Sequence, residues 1–334
     1  MTNKNMHLNK PFLLQPAGKE YLWGGTRLND EFAKEIDMNP LAETWECSTH
    51  PDGPSLIKNG EHSGKLLSEV LKEHNEYLGT HPRTDGELPI LIKFIDAKKD
   101  LSVQVHPDDV YAKMHEDGQL GKTEMWYVLD ATKDAHLIYG LNQDVDQEKL
   151  RNSISEGTIE KFLRKVKVEK NDLFYIEAGT IHAIGAGALV VEIQESSNLT
   201  YRMYDYNRID KDGKMRELHV EKALEVANLK ASDEPAQPMR VLKYRPGCAS
   251  ELLCRCEYFE VYRILINTER CREMALYQSD STSFRVLLCV DGCGSLIMED
   301  GECISFFKGD CFFFPANSEK VRLHGEAQFL DVRG

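Results

Sequence analysis

Short runs of alternating or β-branched residues, separated by turns rich in Gly, Asp and Asn, dominate this chain of 334 residues. Such runs predict β-strands, and their close spacing is typical of β-sandwiches and barrels. Four segments instead favour helices: residues 63–79, with Ser63 as the cap, 108–116, 146–154 and 216–229. They do not form the regular series of crossover helices that a parallel sheet requires. We therefore expect a mainly β chain with a few flanking helices.

An internal repeat divides this chain into two similar halves. The segment NDLFYIEAGTIHAI (171–184) aligns with GDCFFFPANSEKVRL (309–323), and MWYVLDATKDAHLIYG aligns with FRVLLCVDGCGSLIME upstream. We infer that one β-barrel unit is used twice, although two hairpins of similar length could also match by chance. His182 aligns with Lys320 and Glu124 with Ser283, so the second copy lacks the positions that could bind a metal in the first.

The segment ASDEPAQP, residues 231–238, follows the last predicted helix. It is polar, acidic and contains proline, a composition typical of a linker. The sequence therefore predicts a metal-binding domain with helical additions over residues 1–238 and a metal-free β domain over residues 239–334.

Charge and hydropathy argue against two classes of partner. The formal net charge is −14, which repels nucleic acid and anionic membrane surfaces, and no apolar run is long enough to span a bilayer. The first residues lack the pattern of a secretion signal, so we expect a cytoplasmic protein. The nine cysteines then predict free thiols rather than disulfides or zinc knuckles. A monomer and a homodimer are both consistent with this sequence.

The segment LSVQVHP carries polar side chains at alternate positions of a predicted strand. The period of a strand puts Ser102, Gln104 and His106 on one face and apolar residues on the other. A polar strand face usually turns to solvent, but Glu124 in a second strand and His182 in a third, apolar one favour a shared site. Two imidazoles, a carboxylate and an amide oxygen suit a divalent ion such as zinc, and they leave one or two coordination positions open.

Six motifs resemble those of a known enzyme family in content and order. They are YLWGGTRL, AETWECSTHPDGPS, LPILIKFIDAKKDLSVQVHPDD, GKTEMWYVLDA, AGTIHAIGAG and EIQESSNLTYRMYDYNR. Together they resemble type I mannose-6-phosphate isomerases, and most of all the short bacterial form of these zinc-dependent cupins, over residues 10–210. The resemblance implies two cupin-type barrels and a sugar-phosphate substrate. It also implies one zinc ion bound by Gln104, His106, Glu124 and His182.

The same resemblance implies an active site around the metal. Arg202 occupies the place of the family's essential arginine, and Ser102, Lys122 and Glu192 match pocket positions. We therefore expect catalytic roles for Arg202, Lys122 and Glu192. Substrate binding is expected from Ser102, Lys122 and Arg202. The family's reaction interconverts mannose 6-phosphate and fructose 6-phosphate by moving a proton between C2 and C1 through an enediol-type intermediate.

Several alternatives stay open on the sequence alone. Ion pairing or solvent exposure would explain Arg202, Lys122 and Glu192 without any catalytic role. The base is not assigned, since a metal-bound water could serve and Lys122, Glu192 and Asp205 are all eligible. An isomerase of another phosphorylated aldose, or a cupin that binds carbohydrate without turnover, could carry the same ligands. Thr123 stands where longer relatives usually carry proline, and their helical insertion is absent, which points to the short subclass.

Overall fold

The computed structural model describes residues 9–81, 87–210 and 212–334. The first eight residues, which carry part of the argument against a secretion signal, lie outside the described residues. The α-helices are α1 (Arg27–Phe32), α2 (Leu67–Glu73), α3 (Asp109–His115), α4 (Gln147–Ser155) and α5 (Val220–Val226), with 3₁₀ turns at Asn75–Leu78 and Ile159–Lys161. In the described ranges, none of these helices is long and apolar enough to cross a membrane.

The strands carry most of the regular structure. They are β1 (Phe12–Gln15), β2 (Ala17–Lys19), β3 (Glu43–Cys47), β4 (Leu56–Ile57), β5 (Ile90–Asp96), β6 (Val103–Val105), β7 (Glu124–Ala131), β8 (His136–Leu141), β9 (Leu163–Lys167), β10 (Leu173–Ile176), β11 (His182–Ile184), β12 (Ala188–Glu195), β13 (Tyr201–Tyr204), β14 (Lys243–Arg245), β15 (Cys248–Arg255), β16 (Glu260–Asn267), β17 (Ala275–Tyr277), β18 (Arg285–Ile297), β19 (Cys303–Phe307), β20 (Cys311–Phe314) and β21 (Val321–Arg333). The predicted mainly β fold with few helices is confirmed.

The four predicted helices are present, three of them shorter than predicted and α4 of equal length but shifted by one residue. Helix α2 begins at Leu67 and not near Ser63, because residues 61–64 form a turn. Helix α3 begins where predicted, since Asp108 caps it by accepting a hydrogen bond from the backbone N–H of Tyr111 at 2.8 Å. The sequence does not predict α1, because six residues are too few to display a helical period.

The strands form three antiparallel sheets, two of which build the first barrel. One has six strands in the order β10-β7-β12-β5-β3-β2, and the other has five in the order β13-β6-β11-β8-β9. Their inner faces share an apolar cluster that includes Trp126 and Phe174 from the six-stranded sheet and Leu137 and Ile184 from the five-stranded sheet. The space between these two sheets holds the candidate site.

The third sheet builds the second barrel. Its ten strands run β14-β15-β16-β21-β18-β20-β1-β4, with β17 on β21 and β19 on β18. One face shares a core with the six-stranded sheet, where Val191 and Ile193 join Val286 and Val332. The other face has a core of its own, which includes Phe312. Because the six-stranded sheet is covered on both faces, its strands read as nearly continuous apolar runs.

The predicted linker lies between α5 and β14, in a stretch without helix or strand. Gln237 nevertheless ties it to the first barrel, because its side chain accepts from the backbone N–H of Leu173 at 2.8 Å and donates to the carbonyl of Leu173 at 3.0 Å. Strands β1 and β4, from the amino-terminal part of the chain, pair into the ten-stranded sheet. A domain boundary at residue 238 stays a proposal. Strands β1 and β4 precede this boundary in sequence but pair into the sheet of the second barrel.

Strand register identifies the residue of the second barrel that corresponds to Glu124. Ile176 and Phe314 are equivalent in the internal repeat; Ile176 pairs with Glu124, and Phe314 pairs with Arg285. The predicted match of Glu124 with Ser283 is therefore wrong by two positions. The two halves differ locally, because β18 is one continuous strand with a bulge where the first barrel has β7, a loop and β8, and an ungapped alignment cannot follow that difference.

Candidate active site

A row of polar side chains crosses the inner face of the five-stranded sheet. Gln104 on β6 pairs with His182 on β11 and with Arg202 on β13. Directly opposed residues on one sheet face have Cβ atoms only about 5 Å apart, so register alone brings together three distant segments. The other face of β6 carries Val103 and Val105, which are buried in a separate apolar cluster. The strand face that the sequence singled out is the one that lines the site.

A second row crosses the inner face of the six-stranded sheet. Glu192 on β12 pairs with Lys93 on β5 and with Trp126 on β7. The Nζ of Lys93 donates to Oε1 of Glu192 at 2.9 Å, and the indole N–H of Trp126 donates to Oε2 at 3.1 Å. Lys122, which precedes β7, has its Nζ 3.8 Å from the same carboxylate. All four side chains are buried, so this row is a charged network inside the barrel.

Three side chains that could bind a metal ion converge beside these two rows. The Nε2 of His182 lies 3.4 Å from Oε1 of Glu124, and the Nε2 of His106 lies 3.7 Å from Oε2. The two Nε2 atoms are 3.1 Å apart, and ligand atoms from the three residues all fit within 4.8 Å of one another. The side-chain amide of Gln104 comes within 3.3 Å of His182. Because the amide oxygen and nitrogen can exchange places by a flip, its oxygen can turn toward the same point.

Hydrogen bonding holds His182 in the form that a metal requires. Its Nδ1 donates to the carbonyl of Thr180 at 2.8 Å, which leaves the lone pair of Nε2 directed at the cluster. Burial lowers the pKa of His182 to about 4. Burial, with the nearby charge of Lys122, also holds the pKa of His106 well below its usual value. Both imidazoles are therefore neutral at pH 7, as metal binding needs.

Glu124 is a fully buried carboxylate with too few partners. Neither of its oxygens accepts an aligned hydrogen bond from the described residues, although the Nζ of Lys122 lies 2.9 Å from Oε2. Burial, and then the neighbouring charge of Glu192, raise the pKa of Glu124. Burying an ionised carboxylate with so few partners is unfavourable in free energy. A divalent cation between this carboxylate and the two neutral imidazoles would offset much of that free energy. The donor set therefore fits a metal ion.

The two rows border a cavity of about 260 Å³. The structure brings the predicted pocket residues together here, since the lining includes Ser102, Gln104, Lys122, Glu192 and Arg202. The lining also includes residues that the sequence did not single out: Tyr21, Trp23, Glu43, Lys93, Asn198 and Arg216.

Arg202 reaches this cavity without a carboxylate partner among the described residues. Its Nε donates to the hydroxyl of Ser102 at 3.3 Å, and its Nη1 donates to the carbonyl of Glu217 at 2.8 Å. Burial and the neighbouring guanidinium of Arg216 lower its pKa, but a guanidinium remains charged in proteins. Arg202 therefore offers a positioned cation to an anionic ligand.

Asp205, one of three candidate bases, is held by two guanidiniums. Its carboxylate accepts from Nε and Nη2 of Arg216 at 2.8 and 2.6 Å, and it also binds the guanidinium of Arg208. Burial alone would raise the pKa of Asp205, but the two guanidiniums lower it. This carboxylate anchors both guanidiniums and does not line the cavity, whereas Lys122 and Glu192 do.

The sequence context of Lys93 indicates a site residue that the family motifs did not identify. It stands between Ile92 and Phe94, both fully buried, in the apolar run ILIKFID. A lysine inside such a strand is rarely buried unless it is paired, which predicts a buried carboxylate nearby. Arg216 has no comparable signal, because it lies outside the strands, and only the tertiary fold brings it to the cavity.

Comparisons with known proteins place this chain in one family. The family model for "Phosphomannose isomerase type I, catalytic domain" matches residues 12–120, and that for "Mannose-6-phosphate isomerase, cupin domain" matches residues 250–333. The mannose-6-phosphate isomerase ManA of Bacillus subtilis is 38% identical over 326 residues, which cover 96% of this chain and 98% of that protein. The chain belongs to the type I phosphomannose isomerase family.

Other phosphomannose isomerases agree with this assignment. The mannose-6-phosphate isomerase of Streptococcus mutans is 40% identical over 254 residues, which cover 76% of this chain and 78% of that protein. A crystal structure of the mannose 6-phosphate isomerase from Bacillus subtilis superposes with a TM-score of 0.89 at 37% identity, covering 97% of this chain and 99% of that one. The predicted family resemblance and the cupin-type fold are both confirmed.

Proposed function

We propose that this chain interconverts mannose 6-phosphate and fructose 6-phosphate with the help of one divalent metal ion, zinc. The metal ligands in this proposal are Gln104, His106, Glu124 and His182. The observation that carries it is the meeting of two neutral imidazoles and an under-partnered carboxylate next to the cavity that Arg202 enters. Membership of the phosphomannose isomerase family supports the choice of reaction.

The reaction needs a proton acceptor near the sugar carbons and positive charge near the oxygen on which negative charge develops. Zinc, when bound, supplies Lewis acidity to the sugar oxygens. Arg202 adds a cation beside the cavity, and the hydroxyl of Ser102, 3.3 Å from its Nε, holds the guanidinium in place. A planar guanidinium suits either a phosphate group or a developing oxyanion.

Glu192 and Lys122 are the proposed proton-transfer pair. Burial would raise the pKa of Glu192, but Lys122 and Lys93 together lower it, so the carboxylate is anionic and able to accept a proton. In this proposal Glu192 takes the proton from C2 of the sugar and returns it to C1, while Lys122 donates a proton to O1 and accepts the hydroxyl proton from O2. Both side chains are therefore unchanged after a turnover. Lys122, 3.8 Å away, keeps the carboxylate anionic between turnovers.

Metal removal tests this function directly. Dialysis against a strong chelator should abolish the isomerisation of mannose 6-phosphate, and zinc should restore it. His182→Ala should lower the metal content measured by atomic emission, whereas His136→Ala, a half-buried histidine outside the cluster, should keep it. Activity that resists the chelator would rule out the metal mechanism. Faster turnover of another aldose phosphate would instead correct the substrate.

A cytoplasmic location is part of the proposal. All nine cysteines are free thiols, as predicted, and free thiols are typical of proteins in a reducing compartment. The proposed phosphorylated sugar substrate supports the same compartment.

A further inference from the structure

A second cavity, of about 440 Å³, lies in the second barrel. Its volume is in the range of small-molecule sites. Part of its lining comes from Ile264, Ile266 and Leu323, which are buried in the core on the face of the ten-stranded sheet directed away from the first barrel. This cavity shares no lining residue with the candidate active site.

Basic side chains border this second cavity. Lys243, Arg245, Arg285 and Lys320 line it against a single carboxylate, Asp331, which gives the lining a net charge of +3 in a chain of net charge −14. In the described part of the chain, three of these cations form no ion pair and are exposed, so their charge is not cancelled locally. A concave surface lined by one sign of charge concentrates ligands of the opposite sign.

The cations replace residues of the metal site in the first barrel. Arg285 occupies the register position of Glu124, and Lys320 aligns with His182 in the repeat. The guanidinium of Arg285 binds one oxygen of Asp331. The first barrel offers ligands for a cation at this place, whereas the second barrel offers positive charge.

We propose that this cavity is a second ligand site, and that it binds a phosphorylated sugar. The phosphate lies among the three unpaired cations, Lys243, Arg245 and Lys320, because clustered ammonium and guanidinium groups bind phosphate oxygens with charge-assisted hydrogen bonds. Neutral polar groups suited to sugar hydroxyls line the same cavity, namely Ser250 and Gln278.

Isothermal titration calorimetry on the full chain tests the site, with glucose 6-phosphate as the probe. The titration uses the Arg202→Ala variant and is fitted to two sites, so that any binding kept by the active site is separated from binding at the second site. Adding Lys243→Glu and Arg245→Glu should weaken the remaining binding by about tenfold or more, the result of losing roughly 1.4 kcal/mol of ionic contacts. Lys320→Glu, on a different segment, should act in the same direction. A Kd above about 10 mM before these changes would overturn the proposal.

A matched control distinguishes the loss of a local binding site from the effect of changing the net charge of the chain. Lys58→Glu with Lys113→Glu makes the same charge change at exposed positions outside the cavity. This pair should leave the affinity unchanged, and an equal loss would overturn the proposal. Urea midpoints for each variant confirm that it is folded.

Inorganic phosphate tests whether the sugar is recognised. Ser250→Ala with Gln278→Ala should weaken binding of glucose 6-phosphate but leave that of inorganic phosphate unchanged. An equal effect on the two probes, or none on the sugar phosphate, would refute recognition of the sugar.

Discussion

Glu192→Gln is expected to lower the free energy of unfolding of the first barrel by about 4 kcal/mol at pH 7. Lys93, Lys122, Glu124 and Glu192 are each at most 4% exposed, so each ammonium group depends on neighbouring carboxylates rather than on water for compensation. Glutamine keeps the volume of Glu192 and an oxygen that can accept from Lys93. It removes one negative charge, so one ammonium group in the interior loses its compensation.

Two routes to this magnitude agree. Removing one partner of a buried ion pair costs about 3–5 kcal/mol. Alternatively Lys93 gives up its proton, which for an amine of pKa about 10.4 costs about 4.6 kcal/mol at pH 7. In the wild type, burial opposes the charge of Lys93, but Glu192 and then Glu43 reverse that effect and raise its pKa. The substitution removes the larger of these favourable interactions.

Release of the Lys93 proton makes the stability loss of Glu192→Gln depend on pH. In the variant, the folded pKa of Lys93 falls below its unfolded value, so between the two values the unfolded state binds more protons and stability rises with pH. The difference in free energy of unfolding between variant and wild type should therefore narrow by about 1.4 kcal/mol per pH unit between pH 7 and pH 10.

Tryptophan fluorescence during urea unfolding measures this effect. All three tryptophans, Trp23, Trp45 and Trp126, are buried in the first barrel, and a chelator in the buffer keeps metal binding out of the comparison. Glu221→Gln is the control, because the pair of Glu221 with Arg151 is exposed, so its loss should leave the stability nearly unchanged. A loss below about 1 kcal/mol at pH 7, or a loss that does not vary with pH, would refute the reasoning.

Three further predictions concern groups around the site. Arg202→Ala should keep the metal content but lower kcat by about 10²- to 10³-fold, and Arg202→Lys should recover only part of it; a normal kcat with a raised KM would make Arg202 a uniform binding group. Asp205→Asn should release Arg216 and raise KM several-fold, and an unchanged KM would place Arg216 outside substrate binding. Burial raises the pKa of Glu195 to about 8, so its stabilising contribution is full below about pH 4 and is lost as the pH rises to 8. Between pH 5 and pH 8.5, the free energy of unfolding of Glu195→Gln should therefore rise relative to that of wild type by on the order of 1–3 kcal/mol, measured by urea unfolding. A difference between variant and wild type that does not change with pH would contradict this.

The sequence predicted the parts of this protein that depend on local pattern. Alternation in LSVQVHP predicted that Gln104 in β6 shares a face with the flanking Ser102 and His106, because successive side chains of a strand point to opposite faces wherever the strand lies. Glu124 and His182 were added to the set because of their residue type and neighbours. The family motifs then supplied Arg202, Lys122 and Glu192, which the pattern alone would have left as ordinary paired or solvated charges.

Tertiary structure decided how these residues meet. The register of β6 beside β11 and β13 places His182 and Arg202 next to Gln104, and the register of β12 with β5 assigns Lys93 to Glu192. Register also put Arg285, rather than Ser283, at the place of Glu124 in the second barrel. Side-chain alternation is a property of a few neighbouring residues and can be read from the chain. Pairing between strands far apart in sequence is fixed only when loops close and both faces of a sheet are packed, which no local pattern records.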